Sequence, residues 1–210
     1  MIVEKIIVGN MEENCYLAGD ESAFIVIDPG DEAEVILSHI REHDYKVAYV
    51  VLTHCHFDHV GAVAQVMAAT GARLALYAGE RDNYHNRKVS FCGYFSPKPT
   101  LPEPDVLLQD GEEFVVGNCS YHVIHTPGHT SGSMCLLSED HLFSGDTLFY
   151  ETFGRTDFPT GSTSELCKSV KEKLFTLDDA IIIHPGHGPD STVGYERQHN
   201  EIRNLFSMVN

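Results

Sequence analysis

The sequence predicts an α+β fold that forms one domain over residues 1–210. Strand-like and helix-like segments come in two successive groups, each a run of strands with helices attached, which is typical of this fold class. A length of 210 residues suits one domain with a sizeable hydrophobic core. Because no linker or low-complexity tract separates the two groups, we predict that both belong to the same domain.

The first group begins with three strand-like segments, IVEKIIVG, NCYLAG and AFIVID, and the last of them ends in a DPG turn signal. Asp31 and Glu34 have the spacing of a capping box ahead of the helical pattern EVILSHIREH. KVAYVVL is apolar almost throughout, as expected of a strand that is covered on both faces. A helix over 58–71 and the strand RLALYA complete this group.

The second group consists mainly of short strands, which the sequence predicts near 113–116, 119–125, 133–138 and 141–144. Ser162 and Glu165 form a capping box ahead of a helix that runs to about Thr176. AIIIH then predicts a further strand, and a final helix is expected from about Val193 to Met208.

Residues 79–105 interrupt this rhythm with a stretch rich in proline and aromatic residues, SFCGYFSPKPTLPEPDV. Long irregular segments in compact domains are commonly active-site lids or binding loops. We therefore predict a lid or pocket segment here. Its aromatic residues either line a pocket or pack against the domain; they are Tyr84, Phe91, Tyr94 and Phe95, of which Tyr94 and Phe95 are our candidate substrate contacts.

Composition and charge exclude several classes of protein. The formal net charge is −17, with 14 Lys and Arg against 31 Asp and Glu, and such a field repels the phosphates of nucleic acid. No apolar run approaches the ~20 residues that a membrane span needs, and MIVEKIIVGN has no signal-peptide pattern. The six cysteines are scattered without a C-x-x-C pair, which favours free thiols in the cytoplasm.

Metal-binding side chains are concentrated in THCHFDHVGA, residues 53–62, directly after the KVAYVVL strand. Three more donors each follow a later strand, in the segments TPGH, SGD and HPGH. Imidazole nitrogen and carboxylate oxygen suit zinc, iron or manganese. Seven donors are too many for one tetrahedral zinc ion and indicate a two-metal centre; they are His54, His56, Asp58, His59, His129, Asp146 and His187.

These segments resemble a known family. THCHFDHVGA, TPGHTSGS, SGDTLF and HPGHGP are similar to the signature segments of the metallo-β-lactamase superfamily, and Asp28 in IDPGD matches its first acidic motif. LFYETFGRTDFPTGS and PGHGPDSTVGYERQHN resemble the short, single-domain glyoxalase II-like hydrolases of that superfamily. The resemblance implies an αββα sandwich, in which two mixed sheets flanked by helices hold the metals at one edge.

The resemblance also implies a role for each donor. His54, His56 and His129 would bind the first metal, Asp58, His59 and His187 the second, and Asp146 would bridge both. Zinc is the metal that we expect, with iron or manganese as alternatives. Asp28 would either orient the ligand loop or simply belong to the turn before Pro-Gly.

The expected reaction is thioester hydrolysis of a small molecule, with a metal-bridging hydroxide as the nucleophile. Asp146 and Asp58 are the expected catalytic residues, and Asp58 could also move a proton. Cys55 should point away from the cluster, because it alternates with the two histidines around it. Arg155 would bind a substrate carboxylate or anchor its loop, with Asp157 as a local partner. His125 and His184 are expected to be structural.

Three other functions stay open at this point. Persulfide dioxygenases share the fold and a GRTDF-like segment, but use one iron held by a subset equivalent to His54, His129 and Asp146. Their last histidine usually sits in P-A-H-D-Y, whereas this chain has PGHGP, which favours the hydrolase. The other two hypotheses are a lactone or ester hydrolase and a non-catalytic metal-binding protein.

Overall fold

The computed structural model of the chain describes residues 1–94 and 101–207. Six strands form a first mixed sheet, in which the first three are antiparallel neighbours and the last four run parallel. In order across the sheet they are β1 (Ile2–Val8), β2 (Glu13–Gly19), β3 (Phe24–Ile27), β4 (Val47–Leu52), β5 (Arg73–Tyr77) and β6 (Val106–Leu108).

The second sheet also has six strands and is antiparallel except for its parallel β10–β11 pair. Its strands follow chain order across the sheet: β7 (Glu113–Val116), β8 (Cys119–His125), β9 (Met134–Ser138), β10 (His141–Gly145), β11 (Ile182–Pro185) and β12 (Ser191–Thr192). Strands β8, β10 and β11 therefore end at the same edge.

Seven α-helices accompany the sheets in the described part of the chain. They are α1 (Ala33–Glu42), α2 (Phe57–Val60), α3 (Val63–Thr70), α4 (Arg81–His85), α5 (Arg87–Ser90), α6 (Thr163–Glu172) and α7 (Val193–His199). Short 3₁₀ turns cover Ala78–Glu80, Leu174–Thr176 and Glu201–Leu205. Among the described residues, no helix is long and apolar enough to cross a membrane.

Three layers of buried side chains hold this arrangement together. Strand β4 contributes to two of these layers. Val51 packs between the two sheets, whereas Val50 and Leu52 pack on the opposite face, towards α1 and α3. A third cluster lies between the second sheet and α6 and α7. Full burial of each such side chain stabilises the fold by about 1.5–3 kcal/mol. Because both faces of β4 are covered, its residues are apolar almost throughout. The predicted αββα sandwich with two mixed sheets is confirmed.

Some local predictions were wrong, each for a visible reason. Asp31 does not cap α1, since its side chain accepts a bond from the neighbouring Glu32 amide and no side chain caps the helix. The helix predicted over 58–71 is broken into α2 and α3 after Val60, because the Ala62 amide donates to the Pro29 carbonyl at 3.0 Å instead of continuing the helix. Ser162, by contrast, accepts the Glu165 amide as predicted.

Two longer segments also differ from expectation. The predicted C-terminal helix stops at His199, because Asn200 adopts an extended backbone and its side chain accepts the Ile202 amide to start a 3₁₀ turn. The first part of segment 79–105 is helical rather than irregular, since α4 and α5 lie within it.

Candidate metal centre

All seven predicted donors lie at the edge where strands of the two sheets end. Two of them, His54 and His56, lie in the turn after β4, and Asp58 and His59 lie in α2. The other three follow strands of the second sheet: His129 after β8, Asp146 after β10 and His187 after β11. The two edges are joined directly, because the Met134 amide donates to the Thr53 carbonyl at 2.9 Å and the Asn14 amide to that of Gly186 at 2.8 Å.

The donors fall into two sets. In each set, one donor atom from every member lies within 4.8 Å of those from the other two. The first set is His54, His56 and His129, and the second is Asp58, His59 and His187. Each triad provides three ligands of the type found in zinc sites that keep a further coordination position open.

Asp146 lies between the two sets and presents one oxygen to each. Its Oδ2 is 3.5 Å from His129 Nε2, and its Oδ1 is 3.3 Å from His59 Nε2 and 3.8 Å from that of His187. Asp58 Oδ2 lies 3.3 Å from His187 Nε2, on the side of the second set. A carboxylate in this position can contact two cations at once.

Backbone carbonyls fix the orientation of two histidines. His129 Nδ1 lies 2.8 Å from the Arg155 carbonyl oxygen, and His187 Nδ1 lies 3.1 Å from that of Met11. Since a carbonyl only accepts, each Nδ1 carries a hydrogen, which leaves Nε2 as the atom that can bind a metal. Metal-binding histidines are oriented in this way in proteins.

Asp28 orients two further histidines. Its carboxylate accepts bonds from the Thr53 amide at 2.7 Å and the Thr53 hydroxyl at 2.5 Å, and it lies 3.0 Å from His59 Nδ1. The Thr53 hydroxyl oxygen lies in turn 3.1 Å from His54 Nδ1. Asp28 therefore contacts one donor of the second set directly and one donor of the first set through Thr53, as expected of a residue that orients the ligand loop.

Burial and charge set the protonation of the histidines. Desolvation lowers the pKa of His54 and His129, and lowers that of His56 to about 3, so these rings are neutral at physiological pH. Burial also disfavours the charged form of His59 and His187, but the nearby carboxylates of Asp146 and Asp58 outweigh it and raise both pKa values. The first set is thus ready to donate lone pairs at neutral pH, whereas protons compete for the histidines of the second set up to a higher pH.

Three polar atoms that face the other donors are buried and make no hydrogen bond: Nε2 of His54 and His59, and Oδ1 of Asp146. Leaving one such atom unsatisfied costs about 1–3 kcal/mol. Three such atoms together in a cluster of nitrogen and oxygen donors fit a bound cation. The donor chemistry and these buried atoms indicate divalent metal binding.

The glycine of HPGH is required by the closeness of the donors. A Cβ on Gly186 would lie 2.4 Å from Asp146 Oδ1 and 2.8 Å from the Cε1 atom of His59. Any larger side chain would therefore displace the central carboxylate or its neighbour.

Two buried carboxylates near the centre were missed in the sequence. Glu80 is 1% exposed and accepts bonds from the Cys55 amide at 3.0 Å, the Thr130 hydroxyl at 2.9 Å and the Asn83 amide group at 2.7 Å. Glu80 thus connects the loop of His54 and His56 to the loop of His129. Glu13 is equally buried, lies 3.7 Å from His59 Nδ1 and has its pKa raised by burial. No local motif marks either residue.

The predicted substrate contacts have different environments. Arg155 donates two bonds of 2.7 Å to Asp157 and stacks on the Phe158 ring at 3.8 Å, so the predicted local partner is present. Tyr94 is 61% exposed and lies near Arg87. Phe95 lies outside the described residues.

An aromatic wall stands beside the first donor set instead. The rings of Phe91 and Phe158 have centroids 5.7 and 5.5 Å from that of His56, and 4.8 Å from each other. Phe91 belongs to the predicted aromatic group, whereas Phe158 was missed. Tyr84, of the same group, is fully buried in the core.

The remaining candidates have structural surroundings. Cys55 is buried in the core cluster under α2 and α3, and burial raises the pKa of its thiol. His184 contacts His141 at 2.8 Å and Asp190 at 3.2 Å, and His125 contacts the Ser131 carbonyl at 3.0 Å. None of these contacts involves the seven donors.

Comparison with known proteins agrees with this geometry. A family model described as the metallo-β-lactamase superfamily matches residues 8–191. Hydroxyacylglutathione hydrolase GloC from Haemophilus influenzae is 35% identical over 220 residues, which cover 99% of this chain and all of that protein.

Solved structures are similar over nearly the whole chain as well. The BLEG-1 B3 metallo-β-lactamase aligns with a TM-score of 0.90 and 32% identity, covering 95% of this chain and 98% of its own. TTHA1623 in a di-iron-bound form aligns with a TM-score of 0.84 and 33% identity, covering 94% of this chain and 98% of its own.

Proposed function

The chain belongs to the metallo-β-lactamase superfamily, and we propose that it is a binuclear metal-dependent hydrolase that cleaves small-molecule thioesters. The observation that carries the proposal is the position of Asp146, whose two oxygens face two separate sets of three donors. The 35% identical hydroxyacylglutathione hydrolase supports thioesters as the substrate class.

The residues divide between two cations. His54, His56 and His129 would hold the first, Asp58, His59 and His187 the second, and Asp146 would contact both. When bound, two divalent cations would lower the pKa of a shared water and polarise the substrate carbonyl. Zinc suits these nitrogen and oxygen donors; iron, which the similar TTHA1623 structure contains, and manganese are the alternatives.

Asp58 is the residue that would accept a proton during the reaction. Its Oδ2 faces His187, which leaves Oδ1 as the atom for proton transfer. Burial would raise the pKa of this carboxyl, but His59 and His187 outweigh burial and lower it. Asp58 is therefore ionised at neutral pH and holds a proton only transiently. A thiolate leaves readily, so the reaction needs little acid assistance.

The surroundings of the donors suggest how a substrate would bind. The wall of Phe91 and Phe158 stands next to His56 and would contact the apolar part of a substrate. Arg155 is already paired with Asp157, which supports a role in anchoring its loop over a role in binding a substrate carboxylate.

We propose that the protein is located in the cytoplasm. Its six cysteines are all buried free thiols, which supports this location.

One preparation tests the proposal against its main rival. Metal content is measured by elemental analysis. The same sample is assayed for hydrolysis of a hydroxyacylglutathione, a lactone and a simple ester, and for oxygen uptake with glutathione persulfide. Two metal ions per chain with thioester hydrolysis are expected. One iron with oxygen uptake would establish a dioxygenase, hydrolysis of lactones or esters alone would change the substrate class, and no turnover would leave a metal-binding protein.

A further inference from the structure

A second group of metal donors lies outside the candidate metal centre, on the outer side of the first sheet. It consists of Glu4 on β1, His39 on the last turn of α1, and His43 directly after that helix. One donor atom from each lies within 4.8 Å of those from the other two. The strand and helix that carry them contribute none of the seven donors of the candidate metal centre, so this group is separate from it.

The two histidines are four residues apart, which places them on the same face of a helix. Their rings are nearly parallel, with centroids 6.2 Å apart and 11° between their planes. His43 Nδ1 lies 3.0 Å from the His39 carbonyl oxygen, so it carries the hydrogen and leaves Nε2 with a lone pair.

The carboxylate of Glu4 is held in place by Tyr45. The Tyr45 hydroxyl donates to Glu4 Oε1 at 2.6 Å, and the Tyr45 ring is stacked between Phe24 at 3.8 Å and His43 at 5.2 Å. Glu4 Oε2 faces His39 instead. One oxygen of Glu4 is thus held by a hydrogen bond while the other is directed at His39. Carboxylates that bind metals are commonly oriented by hydrogen bonds in this way.

His39 supplies the observation that points to a ligand. Its Nδ1 is shielded from solvent and makes no hydrogen bond, although the ring as a whole is partly exposed. The nearest carboxylate oxygen, Glu4 Oε2, is 3.7 Å away, which is beyond hydrogen-bond distance. A polar atom that is shielded from water and makes no hydrogen bond destabilises the fold. A cation between His39 Nδ1 and Glu4 Oε2 would bind both atoms.

We propose that Glu4, His39 and His43 form a peripheral site for a divalent transition-metal ion, of which zinc is the representative. Two imidazoles and one carboxylate are the donors that zinc accepts, and a water would complete a fourth position. The bound ion would connect β1, the edge strand of the first sheet, to α1. It would therefore stabilise the fold and take no part in turnover.

The test compares zinc binding by the wild-type protein with binding by His39→Ala and His43→Ala. All three are dialysed to equilibrium against the same free zinc concentrations and analysed for bound metal. The wild type should bind one equivalent more than either variant, and zinc should raise its melting temperature further. The rate of thioester hydrolysis should be the same in all three, because neither substitution touches the seven donors.

His122→Ala is the matched control. His122 also faces a carboxylate, that of Glu113 at 3.0 Å, but no third donor of the described residues groups with this pair. This variant should keep the additional zinc equivalent. Equal zinc binding by the wild type and the His39 and His43 variants would overturn the proposal, as would loss of the same equivalent in the control. Glu4→Gln, which keeps an oxygen for Tyr45 but removes the charge, should weaken zinc binding without unfolding the chain.

Discussion

Glu80 offers the sharpest test of how the first donor set is held. Its carboxylate accepts three hydrogen bonds, of which those from Cys55 and Thr130 join the loop of His54 and His56 to the loop of His129. We expect Glu80→Ala to separate these loops. The affinity for the first cation should then fall, while the second set, which is positioned by Asp28 and by the Met11 carbonyl, should change less.

The loss of stability expected in Glu80→Ala depends on which of the three donors keep another hydrogen-bond acceptor. The Thr130 hydroxyl keeps Ser133 at 2.8 Å, and the Asn83 side chain keeps Ser131 at 2.9 Å. The Cys55 amide loses the acceptor it has in the native structure. One buried donor left unsatisfied, together with the small cavity, should cost about 2–4 kcal/mol of unfolding free energy. Loss of such an outer contact should also weaken metal binding by about 10–100-fold.

Glu80→Gln is the control variant, because it keeps the shape and one acceptor oxygen. It should retain the bonds from Cys55 and Thr130 and lose about 1 kcal/mol. Urea unfolding of the metal-free variants gives the stability, and competition with a zinc chelator gives the affinity. Wild-type stability together with wild-type affinity in Glu80→Ala would refute the assigned role of this carboxylate.

Three further predictions concern the donors and the glycine that packs against them. Gly186→Ala should lose metal while keeping its secondary structure by circular dichroism, since the new Cβ would meet the Asp146 carboxylate; full metal content would contradict the packing. Asp146→Ala should lose nearly all activity, and retained turnover would rule out the bridging role. The pKa values of His59 and His187 are raised, so they are protonated at higher pH than His56, whose pKa is about 3. As pH falls, the second cation should therefore be lost first, by about tenfold per pH unit for each proton taken up; equal loss of both cations in a chelator titration would contradict this.

Much of this architecture is predictable because the donors are local in sequence or mark the ends of strands. His54, His56, Asp58 and His59 lie within six consecutive positions after an apolar strand, so one strand and the turn and helix that follow it place four donors. The αββα arrangement also follows from the order of the segments once the resemblance is included.

Other features depend on contacts between distant segments and leave no local signal. Glu80 bonds to an amide 25 residues earlier and a hydroxyl 50 residues later, so its burial cannot be inferred from its neighbours. The break of the predicted helix after Val60 has the same cause, since the Ala62 amide donates to the Pro29 carbonyl of another loop. Phe158 joins Phe91 beside His56 only because two distant loops meet there.

Anomalous diffraction from crystals of the metal-loaded protein tests the central claim most directly. We predict two peaks in the anomalous difference map, one among His54, His56 and His129 and one among Asp58, His59 and His187, with Asp146 in contact with both. A single peak bound only by His54, His129 and Asp146, in protein saturated with metal, would contradict the binuclear centre.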